Sequence, residues 1–446
     1  MSFVFTIEKK RYGEPLDASE IRAFVGGAVD GSIPDYQLAA MCMAVCLNGM
    51  DEAEAKELIL AMLEGGGRYD IGRDVPDAIE QHTTGGVGDG IDLTLLPLLA
   101  TIGLHPTKLT APAIGISSGI IDKVDSIPGM TTMLDRAGFL RVVREAGLAV
   151  ANHGPELVPA DARLYAIRDV TGTIDSVALI AGSILSKKLA TGAPNIHISV
   201  KYGRSGLLKD RQRAAELARL MANVAAALGR RITVPLISFD GPLGRAFGTA
   251  REVKQAIELM TGGGPADLRG QIVSMGAQIL HLVGSERDPA AGRALLESTL
   301  DSGKVYETFC RWVVAQGGDR RVVEDPARLP VAPVQLEARA STSGTLLDLD
   351  GRLIGALAIE LGSGRLKKDD PLDHRVGIVL HKQIGERVEP GEPLFTVHAA
   401  NEGAAETARR RLAATCDIGV GTPHPTLVEE EVFGEGRAAF NLSTGG

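Results

Sequence analysis

The stretch NIHISVKYGRSGLLKDRQRAAELARLMANVAAALGRRITVPLISF, residues 195–239, decides the fold. Residues 196–201 alternate apolar and polar and read as a β-strand. Residues 209–228 carry leucines and alanines at a helical period, and Gly229 follows as a stop. Residues 233–239 are a second β-rich run. A strand, a long helix and a strand in succession predict a mostly parallel core, hence an α/β protein.

Working outward, helices are predicted within residues 17–65 and over 133–147, 160–190, 251–261 and 268–283. Asp51 and Glu54 make a capping box, and Gly65-Gly66-Gly67 ends that helix. Residues 36–47 are apolar on nearly every face, as in a helix buried in a core or between subunits. Breaks near residues 65, 155 and 192 imply that the chain leaves and re-enters one helical unit. From about residue 335, short β-rich runs at 346–353, 376–381 and 394–398 alternate with turns. The predicted architecture has three parts. A helical lobe comprises residues 1–66 and 160–191. A mixed α/β lobe comprises 77–154 and 195–334. A C-terminal α+β subdomain comprises 335–446. Hinges join the parts and allow closure over a cleft.

The 446 residues suggest roughly three domains. A net charge of −9 and 4% aromatic residues argue against nucleic-acid binding, which needs a basic footprint or stacking platforms. The most apolar run, residues 93–104, contains Pro97 and is too short to span a bilayer. The first sixteen residues show no basic-then-apolar leader, so a cytoplasmic protein with no membrane partner is expected. Cys42, Cys46, Cys310 and Cys416 form no CxxC pair, and the nine histidines form no HExxH, so no metal site is expected.

Three motifs carry candidate chemistry. The first is Gln81-His82-Thr83-Thr84-Gly85-Gly86-Val87-Gly88-Asp89-Gly90, just before an apolar helix. Glycine backbone N–H groups, a helix N-terminus and the hydroxyls of Thr83 and Thr84 can hold an anion; the same residues can form a plain turn. Asp92 either caps the helix or places a carboxylate where an anion would sit, as a base for water. The second runs from Tyr165 through Arg168 to Thr171, with Ser183 and Lys187 following. Ser183 and Lys187 are i,i+4 and share a face. With Arg168 they can bind a planar ring bearing carbonyls and N–H groups, or form an ordinary charged helix. The third is Asp122-Lys123 ahead of the Pro128-Gly129 turn, either a local ion pair or a cleft-facing one.

In this order, these motifs resemble the pyrimidine (thymidine) nucleoside phosphorylase family. The likeness runs through almost the whole chain and includes Asp122–Gly129, Pro159–Thr171, Ser183–Ala190, Pro242–Ala246, Val376–Lys382 and Gly391–Leu394. It implies a homodimer built through the helical lobe and a cleft that closes. It implies cleavage of the N-glycosidic bond of a uridine- or thymidine-type nucleoside by inorganic phosphate, with no organic cofactor. Arg168, Ser183 and Lys187 match the pyrimidine-binding positions, and His82 matches the histidine beside the pyrimidine O2. On the phosphate or acceptor side the resemblance implies Thr83, Thr84, Gly86, Thr110 and Lys123; Arg204, an apparent insertion beside a hinge, either brings a cation back there or is a solvent-facing loop residue.

The acceptor side departs from the family pattern. Gln81 stands in place of a lysine, and Asp92 in place of a serine. Pro112, Ile116 and Ile120 stand in place of an arginine, a histidine and a threonine. Three readings follow. One is a phosphorylase with an altered phosphate pocket. Another is a hydrolase or a transferase to a different acceptor, with Asp92 catalytic. The third is an inactive pyrimidine-binding protein.

Overall fold

The computed structural model describes residues 2–112, 118–152, 154, 157–365, 370–424, 426–436 and 440. Four helices open the chain: α1 (Phe3–Arg11), α2 (Ala18–Asp30), α3 (Asp35–Asn48) and α4 (Glu52–Glu64). Both predicted partners of the α4 capping box are in place, Asp51 on the Glu54 N–H and Glu54 on the Asp51 N–H. Strand β1 (Ile79–Thr83) follows, then α5 (Asp92–Thr101), β2 (Pro106–Thr110), α6 (Ile120–Val124), α7 (Arg136–Ala146) and β3 (Ala149–Asn152). Helices α8 (Pro159–Thr171) and α9 (Val177–Thr191) return to the N-terminal bundle, α9 against α4 and α8 against α2 and α3. Then come β4 (Asn195–Tyr202), α10 (Arg211–Ala227), β5 (Arg231–Phe239) and the helix Thr249–Met260.

The central sheet has the order β5-β4-β1-β2-β3, all parallel, and β4, α10 and β5 form the βαβ unit expected from residues 195–239. A sixth strand, Leu427–Gly434, pairs antiparallel with β5. The expected 335–446 subdomain therefore does not keep its last strand, which caps the edge of the larger sheet.

The rest of that subdomain has its own core around Val388, Phe395, Val397 and Leu412. Strands Val334–Arg339, Pro393–Ala399 and Gly377–Leu380 form one antiparallel sheet, completed by Ala246–Phe247 from the larger lobe. The run expected as a strand over 346–353 divides. Gly344–Asp348 is a strand, and Gly351–Ala358 is a helix because Asp350 caps the Leu353 N–H at 3.0 Å.

Candidate active site

The sheet changes its direction of growth at β1. The chain adds β2 and β3 on one side, then returns to add β4 and β5 on the other. In an open parallel sheet, ligands bind in the crevice at the carboxyl ends of the strands flanking such a reversal. At that crevice β1 runs into the glycine loop, residues 84–91.

The loop is closed on itself and on its neighbours. The N–H groups of Thr84, Gly85, Val87, Asp89 and Gly90 donate to Ser199 O, Thr83 Oγ1, Ser205 O, Gly86 O and Gly88 O. Its glycines serve packing. A Cβ on Gly86 would lie 2.1 Å from the Phe239 ring, and one on Gly88 would lie 2.0 Å from Leu243 O at a φ of +84°. Val87 is buried in the core of the C-terminal subdomain. Thr83 donates to Asp89 Oδ2 at 2.6 Å, and Thr84 Oγ1 accepts from the Lys201 N–H at 2.9 Å.

Alternation along β1 separates two half-sites. Glu80 points toward α9, where Lys188 Nζ lies 2.7 Å away and also donates to Leu109 O. Gln81 points toward α5. There Lys108 Nζ donates to Gln81 Oε1 at 3.2 Å and makes a short contact with Asp92 Oδ2. Asp92 is thus not the helix cap. Ile91 holds the N-cap position, and Asp92 is the first helical residue.

On the α9 side, Ser183 and Lys187 meet as their spacing predicts, Nζ to Oγ 2.9 Å. Asp161 of α8 holds the same ammonium at 2.5 Å. Arg168, 2% exposed, donates to the carbonyls of Thr173, Ile174 and Leu179 and thereby fixes the α8–α9 turn. Its guanidinium has no carboxylate in contact among the described residues. His82 belongs to this side. Burial, then the positive charges of Lys188, Lys108 and Lys187, hold it well below the usual histidine range, so it is neutral at pH 7. Its Nδ1 is buried without a partner.

On the α5 side, Lys123 pairs with Glu252 at 2.7 Å and donates to Asp89 O at 2.8 Å. Lys201 pairs with Asp89 at 2.8 Å. Thr110 ends β2, and Ile120 begins α6 as a buried apolar residue. Pro112 lies in the loop after β2, whereas Ile116 lies outside the described residues. Arg204 is turned away from these groups. Its guanidinium makes two 2.8 Å bonds to Asp348 of the C-terminal subdomain.

Comparison with known proteins identifies the family. Residues 6–66 match the helical bundle domain of a glycosyl transferase family, 75–306 match that family's a/b domain, and 346–419 match the pyrimidine nucleoside phosphorylase C-terminal domain. The pyrimidine-nucleoside phosphorylase of Staphylococcus aureus strain USA300 is 38% identical over 430 residues, covering 96% of this chain and 99% of the relative. The protein from strain MSSA476 is likewise 38% identical, over 433 residues, covering 97% and 100%. The chain belongs to the pyrimidine-nucleoside phosphorylase family. Anthranilate phosphoribosyltransferase from Thermus thermophilus shares the fold, with a TM-score of 0.57 and 16% identity over 70% of this chain and 98% of that one.

For a member of this family, sequence reasoning left out much of the charge around β1. Glu80, Lys108, Lys188, Lys201 and Glu252 were assigned no role, and Asp161 was not seen as the partner of Lys187. A lysine within the otherwise apolar run of α9 was the one available signal, at Lys188.

Proposed function

We propose that this pyrimidine-nucleoside phosphorylase family member cleaves the N-glycosidic bond of a uridine- or thymidine-type nucleoside and transfers the pentosyl group, with inorganic phosphate as the family's acceptor. One observation carries the reading. Lys187 Nζ, from the helical lobe, lies 2.9 Å from Ser183 Oγ and 2.5 Å from Asp161, on the side of β1 to which His82 belongs.

When the C1′–N1 bond breaks, its electron pair leaves with the base, and negative charge builds on the ring nitrogen and carbonyl oxygens. A neutral His82 donates a hydrogen bond from one ring nitrogen, and the Lys187 ammonium stabilises the same charge. Ser183 is held beside that ammonium, and Arg168 completes the pyrimidine side. This chemistry calls for no organic cofactor.

The reading includes the three-part division of the chain, with hinges that allow closure over a cleft. It includes a homodimer through the helical lobe, supported by Tyr36, Leu47 and Val170, which stand exposed on α3 and α8. It places the enzyme in the cytoplasm. Among the described residues no helix is long and apolar enough to cross a membrane.

The test is chromatographic release of uracil from uridine and thymine from thymidine. The expected result is base release that falls sharply in Lys187→Ala. Absence of release from both nucleosides, with or without phosphate, contradicts the proposal.

A further inference from the structure

We infer that the acceptor half-site of this enzyme is built for an uncharged hydroxyl, in water or an alcohol, rather than for a phosphate dianion; this rests on the nucleoside cleavage proposed above. Three observations lead there.

The first is charge. Lys108, Lys123 and Lys201 line the α5 side, and each already has a carboxylate: Asp92, Glu252 and Asp89. All six side chains are nearly inaccessible to solvent. No cationic excess is left among them to offset an incoming dianion, whose transfer into a dry site is costly without a counter-charge.

The second is donors. The N–H groups of Thr84, Gly85, Val87, Asp89 and Gly90 in the glycine loop are spent on internal carbonyls and on Thr83 Oγ1. The Thr83 hydroxyl donates to Asp89. Ile120 offers no hydroxyl.

The third is what stays open. Lys108 holds the Gln81 amide and the Asp92 carboxylate on one ammonium, through Gln81 Oε1 and Asp92 Oδ2. The other atom of each group, Gln81 Nε2 and Asp92 Oδ1, is buried without a partner. Gln81 is 0% exposed and Asp92 4%. One free donor beside one free acceptor matches a hydroxyl, which accepts one hydrogen bond and donates another. It mismatches a phosphate dianion, which offers acceptors alone and meets the Asp92 carboxylate with like charge.

The step balances as follows. The C1′–N1 bond breaks and its electron pair leaves with the base. The hydroxyl oxygen forms the new C1′–O bond, its proton passes to Asp92, and the released base regains one proton from solvent. Water gives the free pentose, and an alcohol gives an alkyl pentoside.

The experiment incubates the full-length enzyme with uridine or thymidine in H₂¹⁸O, with and without inorganic phosphate, and with glycerol as the alcohol probe. Base release is followed by chromatography and the sugar by mass spectrometry. The expected result is release that phosphate does not accelerate, giving ¹⁸O-labelled pentose or the glyceryl pentoside according to the acceptor supplied. Asp92→Asn should lower transfer by about a hundredfold and leave uracil binding by calorimetry unchanged. That variant strands Lys108 as a buried charge, so Asp92→Asn/Lys108→Met, which removes both charges, serves as the folded counterpart and should lose transfer equally. Pentose 1-phosphate as the sole sugar product, formed only with phosphate, overturns the inference and leaves the cleavage proposal standing. Full transfer by the folded double variant also overturns it. No base release under any condition overturns the cleavage proposal, and this inference with it.

Discussion

The two faces of strand β1 differ in how they treat charge. Toward α9, Lys187 and Lys188 are matched by Asp161 and Glu80, while Arg168, among the described residues, has backbone carbonyls for partners. Among the described residues, that side keeps the Arg168 charge without a carboxylate in contact, which suits a base that departs with negative charge. Toward α5, the ammonium groups of Lys108, Lys123 and Lys201 are each matched. In the proposed reading, Arg168, Ser183, Lys187 and His82 keep the family pattern on the α9 side, and Gln81, Asp92 and Ile120 depart from it on the other. A side chain one position along a strand can keep its role while its neighbour changes, because the two never share a pocket.

The largest expected effect tests whether the α9 charges are structural or functional. Lys188 is buried, and burial lowers it to about 8 despite Glu80. Lys188→Met leaves Glu80 as an unpaired buried carboxylate and should cost about 3–5 kcal/mol in urea unfolding. Adding Glu80→Gln should recover most of that loss. A single variant as stable as the parent removes the pairing argument for this face.

Next in size is a pH effect on the α5 face. His197 Nε2 of β4 donates to Gln278 Oε1 at 3.1 Å, and burial lowers the histidine to about 4. The unfolded chain takes up a proton near pH 6.5, before the folded one does, so stability falls as pH drops from about 6.5 toward 4. The full cost is about 3 kcal/mol for this group. Unfolding at pH 4.5 and pH 7 should show the drop, and His197→Gln should flatten it. An unchanged slope in the variant assigns the acid sensitivity elsewhere.

Lys187→Ala sharpens the contrast directly. A charge-assisted hydrogen bond is worth about 1.5–3 kcal/mol, so base release should fall roughly 10- to 150-fold. The response to phosphate should not move, because Lys187 serves the other face. A change in phosphate response would mean that the two half-sites are one.

Arg204→Ala should have the smallest effect. The pair with Asp348 is partly exposed, and its loss should cost under about 1 kcal/mol in thermal unfolding, with base release unaltered. A selective loss of phosphate-dependent turnover would instead return Arg204 to the acceptor side.

Helices with clear periods and caps were legible in the sequence, as the Asp51–Glu54 box shows. So was the β4–α10–β5 unit. The first three strands of the sheet were not. Strand β1 reads Ile-Glu-Gln-His-Thr, and β2 carries Thr107 and Lys108. Polar residues buried for their pairings hide the apolar pattern that marks a buried strand. The i,i+4 pair Ser183–Lys187 was legible because the helix itself brings it together. The ion pairs were not, since Lys188 and Glu80 are 108 residues apart and meet only in the folded sheet. Asp92 was flagged as an anomaly, but its partner Lys108 gave no local signal.

The contrast between the two faces is tested most directly by calorimetric titration of the unmodified enzyme with uracil and, separately, with inorganic phosphate at neutral pH. The account predicts saturable uracil binding that Lys187→Ala weakens, and no saturable phosphate binding until Asp92 is replaced by serine. Saturable phosphate binding to the unmodified enzyme would contradict it.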